Sequence, residues 1–305
     1  MKRLLFLFVD GIGLGPADPA INAFAVAPHP TMSAFTNGQQ WVTGVPCTCT
    51  ARGAFVPTDA TLGVAGRPQS ATGQAAILTG KNAPEILGRH YGPKPDALIG
   101  ALLHRSSIFR RLIARGRTVQ LLNAYPPSFF DALDRGKLLP SATQLAARLA
   151  GVPLRGLTEL YDGRALSADF TGEGWHSELG YDDVPLLTHH EAGVRLARLA
   201  READFSFFDH WVPDVVGHRG TLADAVQRVE ALDKVIAGIL SEWHDDEGLV
   251  LLTSDHGNME DMSARGHTRN DVPTLVIGKD SADFADGLRD LRGFAARIDS
   301  YLSVT

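Results

Sequence analysis

Two stretches of the chain share one form: an unbroken apolar run that stops on an aspartate and a glycine. Residues 4–9 run into Asp10-Gly11-Ile12-Gly13, and residues 249–253 run into Ser254-Asp255-His256-Gly257. Apolar runs of this length, bounded by turn residues, read as strands buried on both faces of a parallel sheet. Residues 118–124, 205–208 and 274–277 have the same character, and one or two further strands are expected within 41–56. Between them the period changes. Residues 221–243 place Leu222, Val226, Val229, Leu232, Ile236, Ile239, Leu240 and Trp243 at helical spacing. Helices are also expected at 71–78, 96–115 (loosened at Ser106-Ser107), 191–202 and 285–302. Strands alternating with helices predict an α/β fold, a three-layer, doubly wound, mostly parallel sheet with helices on both faces. From 126 to 181 the pattern weakens to a short helix at 142–149 and a Gly-rich loop near Thr171. That segment reads as a small helical insertion, a reduced cap, in a core made of residues 1–125 and 182–305.

Composition narrows the class. The 305 residues are 44% hydrophobic and 21% charged, ordinary for a soluble globular protein and ample for a buried core. A net charge of -6 and a pI near 6.0, with no basic run, give no nucleic-acid footprint. Cys47 and Cys49 are too close in sequence to favour a disulfide, so a reducing, cytoplasmic setting is the expectation. The apolar run after Lys2-Arg3 stops at Asp10, too short for a signal core, and nothing reaches the length of a membrane span. The pattern carries no signal for an oligomeric state.

In open α/β sheets, ligand chemistry collects beyond the carboxyl ends of the strands. Asp10, Asp255 and His256 fall there. Asp214 and His218 follow the strand at 205–208, four residues apart, so that one helical turn would put them on one face. His267 lies in the polar loop before residues 274–277. Ser70 sits at or beside the start of a helix, because Pro68 discourages helix before it. Thr72, two residues on, is a rival nucleophile. Each piece alone has an ordinary explanation as a turn residue, a cap or a solvated histidine. Together they make seven nitrogen and oxygen donors, too many for one tetrahedral ion and suited to two divalent ions. The absence of thiolates points to manganese or zinc, with magnesium also compatible. The DGIGLG turn lacks the glycine spacing of a dinucleotide-binding module.

Five motifs carry a resemblance: FVDGIG near the start, SATG around Ser70, DVVGH ending at His218, SDHGN from Ser254, and GHT at Gly266-His267-Thr268. Together they resemble the alkaline phosphatase superfamily, within it the metalloenzyme branch of cofactor-independent phosphoglycerate mutases and phosphopentomutases, over roughly residues 1–125 and 185–280. The resemblance implies an alkaline-phosphatase-like core. It implies one metal ion held by Asp10, Ser70, Asp255 and His256, and a second held by Asp214, His218 and His267. It also implies that Ser70 carries the phosphoryl group covalently. One departure is Gln74, which stands where the mutases have histidine. Residues 126–181 are only a fragment of the cap that excludes water in the mutases. The expectation is therefore a metal-dependent phosphatase or phosphodiesterase acting on a small-molecule phosphate ester. A phosphomutase is the alternative, and a catalytically silent metal-binding protein the non-enzyme alternative. Arg89, His90, Arg265 and Thr72, polar or basic residues flanking the motifs, are the candidates for gripping the substrate.

Overall fold

The first strand, β1 (Arg3–Val9), lies inside a seven-stranded sheet in a computed structural model that describes residues 2–303. The other strands are β2 (Thr48–Cys49), β3 (Gly53–Thr58), β4 (Val119–Leu121), β5 (Phe205–His210), β6 (Gly248–Thr253) and β7 (Val272–Ile277). Their order across the sheet is β2-β3-β7-β6-β1-β5-β4. The run β6-β1-β5-β4 is parallel, whereas β7 is antiparallel to both β6 and β3, and β2 to β3. The sheet is thus mixed, with a parallel half and an antiparallel edge.

Alternation along β1 builds two cores at once. Leu4, Phe6 and Phe8 face one layer, with the helices Ser70–Thr79, Ala97–Ser106, Ile108–Ala114 and Gly293–Tyr301. Leu5, Leu7 and Val9 face the other, with His189–Ala200 and Leu222–Glu242. A strand buried on both faces has no polar alternation to show, which is why it reads as a continuous apolar run.

Several local expectations change. The helix expected at 96–115 is two helices, because Ser107 takes an extended conformation and its Oγ accepts the Arg110 amide, ending one helix and capping the next. The Gly-rich loop near Thr171 leads into a short helix, Glu173–Ser177, which buries Trp175 in a separate small cluster with Leu160, Ala165 and Val184. Of the closing helix expected at 285–302 only Gly293–Tyr301 forms; a separate short helix, Ser281–Ala285, ends where it was to begin, and Gly287 between them has φ +63°. The helix Pro127–Asp134 has no counterpart in the expected pattern. Within residues 126–181, the helix Ala142–Leu149 packs Ala142, Ala146 and Ala147 into the main core. No helix among the described residues is long and apolar enough to cross a membrane.

Candidate metal centre

One edge of the sheet gathers the chemistry. β1 and β6 are parallel and in register, so Asp10 and Asp255 emerge side by side past their carboxyl ends, and Asp209 is the next-to-last residue of the neighbouring parallel strand β5. β7 runs the opposite way, so the loop that precedes it and carries His267 arrives at the same edge. The helix Ser70–Thr79 is buried along its entire length and starts there. Gly73 permits this close approach, since a Cβ at that position would lie 2.8 Å from the Asp255 carbonyl oxygen.

Two clusters result. In the first, His256 Nε2 lies 3.0 Å from Ser70 Oγ, 3.3 Å from Asp10 Oδ1 and 3.6 Å from Asp255 Oδ2. Gln74 Nε2 donates to Asp10 Oδ2 at 3.4 Å and to Asp255 Oδ2 at 3.3 Å. In the second, Asp214 and His218 share one face of the helix Val212–Arg219, with His218 Nε2 3.5 Å from Asp214 Oδ2. His267 Nε2 lies 3.5 Å from Asp214 Oδ1 and 3.2 Å from His218 Nε2. The clusters touch through the rings of His256 and His267, stacked 3.7 Å apart.

Supporting groups set the orientation. His267 Nδ1 donates to the Pro68 carbonyl at 2.8 Å, and His218 Nδ1 faces the Arg265 carbonyl at 3.4 Å. Those bonds put the proton on Nδ1 and leave Nε2 as a bare acceptor in both rings. Asn258 Nδ2 donates to Asp214 Oδ1 at 2.8 Å, fixing the carboxylate. Behind both clusters, buried Glu260 accepts from the amides of Gly13 and Asn258, from the Thr268 hydroxyl and from Asn270 Nδ2.

The electrostatics are unfavourable for a protein alone. Burial, then the charges of Asp255, Asp214 and Asp209, holds the Asp10 carboxyl well above the ordinary carboxylate range. Burial and the charge of Asp214 do the same to Asp255. Burial, with His267 next, holds His256 well below the usual imidazole range.

A family model described as the metalloenzyme superfamily matches residues 152–299, a span that includes Asp214, His218, Asp255, His256 and His267. A 2,3-bisphosphoglycerate-independent phosphoglycerate mutase of Rhodopseudomonas palustris is 41% identical over 121 residues, 36% of this chain and 24% of that protein. The enzyme of the same name from Acetivibrio thermocellus is 30% identical over 131 residues, 37% of this chain and 26% of that protein. The matched stretch thus spans about a quarter of the length of these curated relatives. The alkaline phosphatase of the Antarctic bacterium TAB5 superposes with a TM-score of 0.57 at 15% identity, over 99% of this chain and 98% of that one. Residues 152–299 are similar to the metalloenzyme superfamily, and the fold is that of an alkaline phosphatase.

The donors of the two clusters fit divalent cations. Asp10 Oδ1 and Asp255 Oδ1 are buried without a hydrogen-bond partner. Two Nε2 acceptors face each other 3.2 Å apart beside a carboxylate. Such an arrangement is repulsive until a cation sits among the lone pairs.

The substrate-gripping candidates fare differently. Thr72 is fully buried, and its hydroxyl donates to the carbonyls of Gln69 and Tyr91 while accepting the Tyr91 amide, so it points away from the site. The Arg265 guanidinium is committed to the Gly220 carbonyl at 2.6 Å. Arg89 and His90 line a separate depression with Arg67 and Tyr91. The cleft that holds Asp10, Ser70, Gln74 and Asp214 is lined instead by Lys94 and Asp209. Burial pushes the Asp209 carboxyl up to about 7, and Lys94 pulls it back. Sequence reasoning missed Lys94, Asn258 and Glu260. Lys94 sits in a Pro-Lys-Pro stretch that looks like a surface turn, and the other two are defined by partners far along the chain.

Proposed function

We propose that this metalloenzyme transfers a phosphoryl group from a small-molecule phosphate ester through a covalent phosphoseryl intermediate on Ser70. The observation that carries this reading is Ser70 Oγ at the floor of the cleft, 3.0 Å from His256 Nε2 and beside the buried carboxylates of Asp10 and Asp255. Asp10, Ser70, Asp255 and His256 would hold one divalent ion, and Asp214, His218 and His267 a second, manganese or zinc being suited to this donor set. When bound, such ions polarise the phosphoryl group and favour the serine alkoxide.

The residues of the chain do the rest. Ser70 Oγ loses its proton, aided by its place at a helix start, and bonds to phosphorus. The bond from phosphorus to the ester oxygen breaks, and the departing alcohol takes up a proton. Lys94, in the same cleft, supplies a cation for the phosphoryl oxygens. Gln74 holds Asp10 and Asp255 with an amide that stays neutral at any working pH.

Two acceptors complete the reaction. Return of the phosphoryl group to a second hydroxyl of the alcohol makes the enzyme a phosphomutase, and kinship favours this outcome over the hydrolase expected from the short cap: the curated relatives reported above are named phosphoglycerate mutases. Transfer to water makes it a phosphatase, the reading favoured by an open cleft of about 760 Å³. The test supplies phosphate esters bearing a second hydroxyl to the manganese-loaded or zinc-loaded protein and follows isomer and free phosphate separately. Isomer without free phosphate establishes the mutase. Free phosphate without isomer establishes the hydrolase. Neither product, from several esters and with both metals bound, overturns the reading.

A further inference from the structure

The walls of the cleft over Ser70 suit an alcohol unlike a small anionic acid. On one side the rings of Tyr125 and Phe129 stack at 4.5 Å. On another, Trp211 and Val215 present apolar surface, 44% and 41% exposed. A volume of about 760 Å³ falls in the range of sites that enclose drug-sized ligands. A three-carbon phosphoester would leave most of that space to water.

Charge points the same way. Glu173, Glu178, Asp169 and Asp224 line the outer part of the cleft, against the single cation Arg228. Asp169 and Asp224 also bond to nearby amides, which leaves their negative field in place. Lys94 is the other cation in the lining, and it shares the inner cleft with Asp10 and Asp209. A phosphate at Ser70 is therefore matched, whereas a second anionic group on the alcohol meets a rim of like charge.

We propose that the substrate is a phosphate ester whose alcohol carries an aromatic ring and no further anionic group, as in nucleoside or aryl phosphates, the ring lying between Tyr125–Phe129 and Trp211–Val215. This rests on the Ser70 reading above for where the phosphate sits. The ring is recognised by stacking and the rim rejects anionic competitors.

The experiment has two arms on the metal-loaded protein. The first compares kcat/KM for a nucleoside monophosphate and phenyl phosphate with that for 3-phosphoglycerate and glycerol phosphate. The second follows tryptophan fluorescence in Ser70→Ala titrated with phenylphosphonate or phosphonoacetate, a binding signal that needs no turnover. The aromatic esters should be preferred by about tenfold or more, and Trp211→Ala and Phe129→Leu should each weaken the aromatic ligands several-fold more than glycerol phosphate. Trp211 is surface-exposed, so its variant should fold normally even if Phe129→Leu does not. A preference for 3-phosphoglycerate, or equal losses for aromatic and aliphatic ligands in Trp211→Ala, overturns the proposal. Saturable binding of phenylphosphonate over phosphonoacetate with no turnover of any ester supports the cleft assignment and counts against the Ser70 reading alone.

Discussion

Glu260 Oε2 accepts the amide of Gly13 at 3.0 Å, across 247 residues of sequence. The same oxygen takes the Asn258 amide at 2.7 Å, and Oε1 takes Asn270 Nδ2 at 2.9 Å together with the Thr268 hydroxyl. One buried carboxylate thus ties the loop after Asp10 to the loop after His256 and to the one after His267. A side chain at Gly13 would fall 2.3 Å from Glu260 Oε1, so the glycine and the acid are matched. Glu260→Gln replaces one acceptor oxygen by an NH2 group that faces donors. It should lower unfolding stability by about 1–3 kcal/mol, and Glu260→Ala should lower it more, since it leaves several buried donors unpaired. Urea unfolding checks both. Equal stability of Glu260→Gln and wild type would show that the three loops are held by other contacts.

Gly73 supports the site from the other side. An alanine there meets the Asp255 carbonyl oxygen at 2.8 Å and its Cβ at 2.9 Å, both in the fully buried turn that follows β6. The helix must move, and Ser70 moves with it. Gly73→Ala should therefore cost about 1–3 kcal/mol in stability through overpacking and lower kcat by a factor on the order of 10² through misplacement of Ser70. Calorimetry and steady-state rates on the same preparation separate the two effects. A variant with wild-type kcat would mean that the spacing of Ser70 from Asp255 is not critical.

Ser70→Ala should reduce turnover on the order of 10³-fold or more while leaving the fold and at least one bound metal. Mass spectrometry of quenched wild-type reactions should find the phosphoryl group on the peptide that contains Ser70. Unchanged activity in the variant would assign the attack to another oxygen. Thr72 is a poor candidate for it, because its hydroxyl is engaged with the backbone of Tyr91.

The strand ends were legible because β1 and β6 are buried on both faces, and an apolar run that stops at an acid marks where the sheet stops. The four-residue spacing of Asp214 and His218 was legible for the same kind of reason, a local period. What local pattern does not encode is direction. Arg89 and Arg265 are basic and near motifs, yet one guanidinium lies over Tyr91 and the other binds the Gly220 carbonyl. Glu260 reads as an ordinary loop acid until the fold delivers Gly13 to it. The break between 285 and 302 was hidden because Gly287, in its left-handed conformation, is flanked by residues that keep an apolar rhythm.

His210 gives a pH prediction through a side chain that packs against Ala168 and Phe170. Its ring stacks on Phe170 at 4.2 Å, Nδ1 donates to the Ala168 carbonyl at 2.6 Å, and Nε2 is buried without a partner. Burial holds its pKa at about 4. The unfolded chain, with an ordinary imidazole near 6.5, takes up the proton first. Stability is thus unaffected by this residue above pH ~6.5 and declines as pH falls from there toward 4, by at most about 1.4 kcal/mol per pH unit. His210→Asn keeps a donor for Ala168 and removes the titration. Its stability should vary less over that window, as read by thermal melts at a series of pH values. Parallel wild-type and variant curves would mean that His210 is solvated in the folded protein.

Asp255 gives the prediction that separates a metal ligand from a structural acid. Its carboxylate is fully buried beside that of Asp10, and Asp255 Oδ1 has no hydrogen-bond partner. Burial and the charge of Asp214 raise its pKa, so the folded metal-free protein binds the proton more tightly than the unfolded chain. The contribution of Asp255 to the stability of the metal-free protein is then greatest at acid pH and is lost as pH rises toward neutral. Asp255→Asn removes that charge, and in the presence of a chelator at neutral pH it should melt higher than wild type. Added manganese or zinc should reverse the order. Wild type gains about 2.7 kcal/mol at a hundredfold excess over its dissociation constant, whereas the variant, lacking one donor of the first cluster, gains much less. An Asp255→Asn protein that melts below wild type in chelator, or that responds to metal as fully as wild type does, would show that Asp255 serves the fold and not the ion.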